Sequence, residues 1–300
     1  CCCLDPLILT DDKKAKAPVA SLGTITVIIN NSSNTITYGG APALDYGASG
    51  TVFVRIDSEV IECTVLSDFV LTIINRGVGG TEQRDHSLNA TMQKCLVYQN
   101  VNVVTIIEDL LTNYTTIPSK FLDDYSAVIA ATSSITLTAN VNKSESVKKL
   151  IDELIKNGDL VMYYDEENQL IKIKQVQDSS TQPIFINEDD NILKDSTSFR
   201  RLPKDQYTRY SAAWAPNDIT KTTGEEYFSI VYQPINLNNE LPVNKGEVEE
   251  KKIFFNRWLT NDSNDITIGT SLAQRVLDRS TKVPEEFNFT LDIEDVFNTQ

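Results

Sequence analysis

The sequence predicts a mainly β protein with an α+β part, ordered as a small all-β module, a helix-plus-hairpin unit and a second β unit. Three observations predict it. Short runs rich in Val, Ile and Thr, separated by Asn, Ser and Gly, fill residues 24–97. The apolar spacing then changes at Val101 from alternation to a helical repeat, and beyond Gln177 strand-like runs return. At 300 residues with 41% hydrophobic content, the chain can bury more than one core.

The clearest element of the first module is Thr51 to Leu66, where Val52, Val54 and Ile56 lead into Asp57-Ser58 and out through Val60 and Ile61, the pattern of a tight hairpin. A further strand, Phe69 to Ile74, ends at Arg76-Gly77. Val103 or Val104, Ile107, Leu110 and Leu111 then form a helical stripe up to Tyr114, and Ile117-Pro118 stops it. For a second helix, Ser144 is the expected cap, Val147, Leu150, Ile151, Leu154 and Ile155 the apolar face, and Gly158 the left-handed stop. Ile135 to Ala139 reads as a strand, and Leu160 to Tyr164 with Leu170 to Val176 as a strand pair about the polar turn Asp165 to Gln169. The second β unit offers Ile184–Ile186, Ile192–Phe199, Gln206–Trp214, Tyr227–Tyr232 and Lys252–Leu259. It also has an acidic connection from Gln233 to Glu250 and a helix over about Gly269–Ser280. Phe287, Phe289, Leu291 and Ile293 alternate as a last strand.

Charge and composition exclude several function classes. Forty-two acidic residues against 27 basic give a net charge of −15, which repels phosphate backbones and anionic lipid. A single histidine, His86, restricts any triad or imidazole-based metal site to that one residue. Of five cysteines, three stand at positions 1 to 3, which is no disulfide framework, and Cys63 and Cys95 fall in strand-like runs where a buried thiol is ordinary. No apolar run approaches the roughly 18 residues that a membrane helix needs. The chain is expected to be a soluble piece of a longer protein, because it lacks an initial Met and its last strand ends without a partner.

The candidate sites resolve towards structural readings. Gly77-Val78-Gly79-Gly80-Thr81 is glycine-rich, but Glu82-Gln83-Arg84-Asp85-His86 follows, with neither the Lys-Ser/Thr pair of a phosphate loop nor an apolar helix. A strand-ending turn is the reading taken. Asp85 beside His86 suggests half of a general-base pair, yet no nucleophile elbow of the G-x-S-x-G type is present. His86 is therefore expected to be structural or solvated. Asp165-Glu166-Glu167 and Glu188-Asp189-Asp190 lack calcium-loop spacing and read as solvated turns. Asn89-Ala90-Thr91 and Asn113-Tyr114-Thr115 fit the glycosylation pattern only as a chain rich in Asn, Ser and Thr fits it by chance. No catalytic, cofactor-binding or metal-binding residue is assigned, and no cofactor.

The order of these segments resembles the central tail-hub proteins of long-tailed bacteriophages, prophages and gene transfer agents. The resemblance begins at Leu4-Asp5-Pro6-Leu7 and Asp11-Asp12-Lys13-Lys14-Ala15-Lys16-Ala17-Pro18, where such proteins enter an inserted β module. It continues through Tyr46-Gly47-Ala48-Ser49-Gly50, Arg55-Ile56-Asp57-Ser58-Glu59-Val60-Ile61 and Arg76-Gly77-Val78-Gly79-Gly80-Thr81, with His86 five residues later. Its most specific part is Cys95-Leu96-Val97-Tyr98 followed by Ile106-Ile107-Glu108-Asp109-Leu110-Leu111-Thr112-Asn113-Tyr114 and Ile117-Pro118. Ile151-Asp152-Glu153-Leu154, the strands about Tyr163-Tyr164-Asp165, Asn191-Ile192 and Arg257-Trp258-Leu259 extend it in collinear order over nearly the whole chain.

The resemblance implies an entry segment at 1–23 from a preceding hub domain, an inserted small all-β module at 24–97 and an α+β domain at 98–178. It implies a β-barrel-like hub domain at 179–300, cut short at its C-terminus. It further implies a non-enzymatic virion component, the baseplate hub or tail tip, assembled in the host cytoplasm. As a homotrimeric ring this component would extend the tail tube and meet distal tail, tape-measure and tip or fibre proteins. DNA would pass through it without specific binding, and no stable membrane association is implied. Many such proteins carry a cysteine-ligated iron–sulfur domain upstream; Cys1 to Cys3 do not replace its ligands, so no cluster is assigned. The competing readings are a tail-borne cell-wall hydrolase or peptidase, and a host-surface or carbohydrate-binding module using Tyr38, Tyr46, Phe53 and Phe69.

Overall fold

The computed structural model describes residues 15–18, 22–40, 50–176, 196–201, 206–216, 228–241, 247–255, 257–260, 263–280, 285–288 and 290. It is mainly β with α+β parts. The chain divides into two compact units: residues 1–176, 213–231 and 254–272 form the first, and 177–212, 232–253 and 273–300 the second.

The first unit begins with β1 (Lys16–Ala17) and then builds a barrel from β2 (Leu22–Ile25), β3 (Thr35–Gly39), β4 (Thr51–Ile56), β5 (Glu59–Ser67), β6 (Val70–Asn75) and β7 (Thr91–Asn102). These strands pair in the order β2-β3-β6-β5-β4-β7, every neighbour antiparallel, and β2 pairs again with β7. That second pairing closes the sheet into a six-stranded barrel and leaves no edge between first and last strand. Strict alternation along β4 sends Val52, Val54 and Ile56 inward, where they meet Ile25, Ile36 and Leu71. Register shifts in the β5–β6 pair at Glu62/Cys63 and Val65/Ser67 supply the bends that closure requires. The hairpin turn falls at Asp57-Ser58, as the pattern predicts, with Asp57 in the left-handed region at φ 51°.

β7 is long enough to leave the barrel and pair over its second half with β8 (Thr136–Val141). Its last residue, Asn102, caps α1 (Val103–Tyr114): the side-chain oxygen accepts from the Val104 amide at 2.9 Å, and the side-chain amide donates to the Thr132 carbonyl at 2.8 Å. Val103, Val104, Ile106, Ile107, Leu110 and Leu111 form its buried stripe. A short helix, α2 (Ser126–Ala131), follows; the sequence reading omits it, since none of its residues is buried and no apolar stripe marks it.

α3 (Val147–Gly158) corrects two expectations. Ser144 does not cap it: β9 (Glu145–Ser146) intervenes and pairs with β1, so the first helical amide, Val147, donates to the Ala15 carbonyl at 3.1 Å. Gly158 does not supply the left-handed stop either; Asp159 does, at φ 55° and ψ 51°. Gly158 is the last helical residue, and a Cβ there would lie 3.0 Å from both Leu160 Cδ1 and Val103 Cγ2, so glycine permits the close approach of α3 to α1. β10 (Leu160–Asp165) and β11 (Leu170–Gln175) form the expected hairpin. Tyr125 ties it to the helices by donating its hydroxyl to the Ile171 carbonyl at 2.8 Å.

Residues 213–231 and 254–272 complete the first unit with buried Trp214 and Trp258. The Trp258 indole N–H donates to Glu153 on α3 at 2.8 Å. The second unit contains the antiparallel ribbon of β12 (Ser198–Arg201) and β16 (Glu285–Asn288), whose backbone register pairs Ser198 with Asn288 and Arg201 with Glu285. β13 (Arg209–Pro216), β14 (Phe228–Tyr232) and β15 (Glu250–Phe254) pair in the order β14-β13-β15. The connection expected as a loop from Gln233 to Glu250 contains a one-turn helix, α4 (Leu237–Glu240), held by an ion pair of Glu240 with Arg209 at 2.7 Å. The last helix, α5 (Ser263–Ser280), starts six residues before the expected Gly269. The expected strand at 184–186, the first half of that at 192–199 and the end of the chain from 291 lie outside the described residues.

Candidate functional site

The barrel carries a buried ionic cluster at one place. Glu59 opens β5 immediately after the Asp57-Ser58 turn and is fully buried. From β6 the chain runs into a strap, residues 76–86, that crosses back over Glu59. Arg76 grips the carboxylate with two parallel bonds, Nε to Oε1 at 2.6 Å and Nη2 to Oε2 at 2.7 Å. The backbone amides of Gly77 and Arg84 donate to the same oxygens at 3.1 Å and 3.0 Å. His86 closes the strap with Nε2 2.8 Å from Glu59 Oε2 and Nδ1 2.9 Å from Asp57 Oδ2. Its main chain pairs in both directions with Ile29, through bonds of 2.8 Å and 3.0 Å.

The strap needs glycine to make this crossing. Gly77 sits at φ 66°, and a Cβ there would stand 2.8 Å from the Thr81 carbonyl oxygen. Gly79, at φ 67°, lies against Asn140 of β8, whose side-chain nitrogen a Cβ would approach to 3.2 Å. Between them the strap makes one 3-10 turn, Val78–Gly80, which Thr81 fastens by donating its hydroxyl to the Val78 carbonyl and accepting from the Val60 amide, both at 2.9 Å. The glycine-rich segment is thus a strand-ending turn whose first amide, that of Gly77, is committed to Glu59.

The electrostatics follow from the contacts. Burial opposes the charge on Glu59, but the hydrogen bonds from Arg76, His86 and the Arg84 amide prevail and hold its carboxyl down at about 2. Burial also opposes a charged His86, and its bonds to Glu59 and Asp57 outweigh that, so its pKa is raised above the ordinary 6.5. A general base needs a free lone pair and a proton affinity near the working pH. Glu59 has neither property, and an imidazolium facing two carboxylates has no lone pair to offer. The cluster is built to hold backbone in place.

The partner suggested for His86 by sequence adjacency is corrected: Asp85 is exposed, and the ring bonds instead to Asp57 and Glu59, 29 and 27 residues away. Those two residues and Arg76 were not singled out by sequence reasoning about sites. The signals available for them were an acid directly before the apolar pair Val60-Ile61 and an arginine directly before the glycine turn.

Other sequence candidates fall apart in space. In the Asp165-Glu166-Glu167 turn, Asp165 pairs with Lys172 at 2.6 Å and with the Asn168 side chain at 2.9 Å, which lowers its pKa. Glu188-Asp189-Asp190, Cys1 to Cys3 and Tyr46 lie outside the described residues. Burial pushes the thiols of Cys63 and Cys95 up to about 12, which leaves them unreactive. Asn89 occupies a turn at φ 68°, and Asn113 donates to Asp109 at 2.7 Å. Of the aromatics proposed for sugar binding, Tyr38 is buried against Phe69 with ring centroids 5.7 Å apart, Phe53 is half-buried, and Phe69 alone among those described is exposed. Among the described residues no group of three or more His, Cys, Asp or Glu is placed to hold a metal ion, and no helix is long and apolar enough to cross a membrane.

No family model matches the sequence, and no curated protein matches it. Among solved structures, the chain is similar to the 43 kDa tail protein of prophage MuSo2 from Shewanella oneidensis, at 9% identity over 91% of this chain and 82% of that one, with a TM-score of 0.37. It is also similar to the prophage tail protein gp18 from Listeria monocytogenes EGD-e, at 9% identity over 78% of this chain and 72% of that one, with a TM-score of 0.29.

Proposed function

We propose that this chain is a structural component of a phage or prophage tail, a hub at the tail tip that extends the tube and joins it to tip or fibre proteins. The collinear sequence resemblance supports the reading, and one structural observation gives it physical sense. Three motifs carry the resemblance here, Arg55–Ile61 on one side of the β5–β6 hairpin and Arg76–Thr81 with His86 on the other, and they meet in a single ionic cluster. Their polar groups are spent on one another and on backbone, so the motifs specify the shape of a module. A module of fixed shape is what an assembly protein needs, and the chain on this reading has no chemistry of its own.

The barrel interior is filled by its apolar core, as a barrel of so few strands must be, and so has no bore. A DNA conduit on this reading is the space enclosed by several copies in a ring, with the acidic surplus partly on the lumen-facing surface, where it repels the phosphate backbone. Distal tail and tape-measure proteins are the expected neighbours. Immunogold electron microscopy of induced particles tests the proposal: antibody against this chain should label the tail tip, and particles unlabelled on the tail would refute it. Zymography on cell-wall substrate tests the hydrolase reading, and a cleared zone produced by the purified chain would replace the proposal.

A further inference from the structure

The histidine of the cluster stands between two carboxylates in very different surroundings. Glu59, at Nε2, is fully buried and carries Arg76 and two backbone amides besides. Asp57, at Nδ1, is 55% exposed and sits on the tip of the β4–β5 turn. A neutral imidazole has one N–H, whereas this geometry presents an acceptor to each ring nitrogen, so both bonds exist only for the imidazolium.

We propose that His86 is a proton-gated tie: protonated, it fastens the β4–β5 turn to the strap through Asp57; deprotonated, it releases that turn while Glu59 and Arg76 keep the strap closed. The charges that face the ring settle the order of events. From the turn comes Asp57, from β5 Glu59, and from the strap Arg76, so the protonated cluster is neutral and the deprotonated one carries a single negative charge. Arg84 contributes its backbone, its guanidinium being paired with Glu82 at 3.0 Å, and Asp85 is exposed. The segment that meets His86 across the barrel, from Val27 to Asn34, contributes main chain at Ile29 and has no ionisable side chain. The proton therefore leaves from Nδ1, on the solvent side. The ring keeps Nε2–H on Glu59, and Asp57, facing a lone pair, turns its carboxylate to water.

His86 is the sole histidine, so every imidazole signal of the labelled protein belongs to it. Imidazole nitrogen NMR across a pH series should show both nitrogens protonated at pH 6 and a midpoint above the 6.5 of an unperturbed ring. The Asp57 and Ser58 amides should shift with that midpoint while the Gly77 and Arg84 amides stay still. In Asp57→Asn, a surface change that leaves the buried pairs intact, the midpoint should fall and the Gly77 and Arg84 amides should be unmoved. A ring already neutral at pH 6, a midpoint unaffected by Asp57→Asn, or Gly77 and Arg84 amides that titrate with the turn would each overturn the proposal.

Discussion

A carboxylate taken out of water loses several kcal/mol of hydration unless donors replace it, and Glu59 is met by the Arg76 guanidinium, two backbone amides and the His86 ring. Glu59→Gln keeps the shape and removes the charge, leaving the buried Arg76 and His86 without their common anion. We expect a loss of about 3–5 kcal/mol in urea unfolding, the usual consequence of breaking a buried pair; a loss below about 1 kcal/mol, the scale of a surface pair, would mean the cluster contributes little. The pH dependence has two opposite limbs. Glu59 has a lowered pKa, so its contribution is present above 4.5 and is lost as pH falls towards about 2. His86 has a raised pKa, so its contribution is present below 6.5 and is lost as pH rises through its folded value. The stability advantage of the native protein over His86→Gln should thus be flat between about pH 4.5 and 6.5 and shrink on either side. An advantage still growing above pH 8 would contradict the assignment of an imidazolium.

At the scale of elements, glycine positions test whether close approach shapes the fold. Gly77→Ala forces a Cβ to 2.8 Å from the Thr81 carbonyl at a positive φ, whereas Gly50, at φ 90°, has nothing within 4 Å of its position. Thermal melts should place Gly77→Ala well below Gly50→Ala, which carries only the backbone strain of about 1–3 kcal/mol common to both; equal melts would mean that the strap yields easily. On α5, Gly269→Ala sets a gain of about 1 kcal/mol in helix propensity against a Cβ 3.1 Å from three atoms of the buried Trp214 ring. The ring packs edge-on to Phe255 at 6.1 Å, so overpacking should win and the variant should melt lower. Local elements were the legible ones. The Asp57-Ser58 hairpin, α1 and the α3 stripe each follow from residues within one turn or one helical repeat of each other. The barrel closure and the cap of α3 were not legible, because both depend on pairings from distant chain: β2 with β7, and β1 with β9. The helix expected over about Gly269–Ser280 extends back to Ser263, and Gly269 inside it leaves space for Trp214. The candidate site follows the same rule, since a neighbour such as Asp85 can be seen in sequence and partners 27 and 29 residues away cannot.

For the whole molecule, the decisive quantities are a net charge of −15 and a barrel with no bore. A conduit between copies keeps DNA moving only if its wall gives phosphates nothing to pair with, and counter-charge released on binding is the main source of non-specific affinity for DNA. Screening limits the repulsion to about 10 Å at 0.1 M salt, so in the proposed conduit the carboxylates would act as a lining and not as a long-range field. Two lysines of α3 are partly neutralised, Lys149 by Glu145 of β9 at 2.9 Å and Lys148 more loosely by Asp152 at 3.9 Å, which reduces the basic surface there for a backbone to follow. Fluorescence anisotropy of labelled duplex DNA should therefore stay unchanged on titration with this chain at low ionic strength, where screening is weakest and any basic groove would declare itself. Binding that appears at low salt and fades as salt rises would mean the acidic surplus faces away from the nucleic acid. In that case a charge map of the assembled ring should show a neutral or basic lumen, and the proposed role of the surplus would be lost.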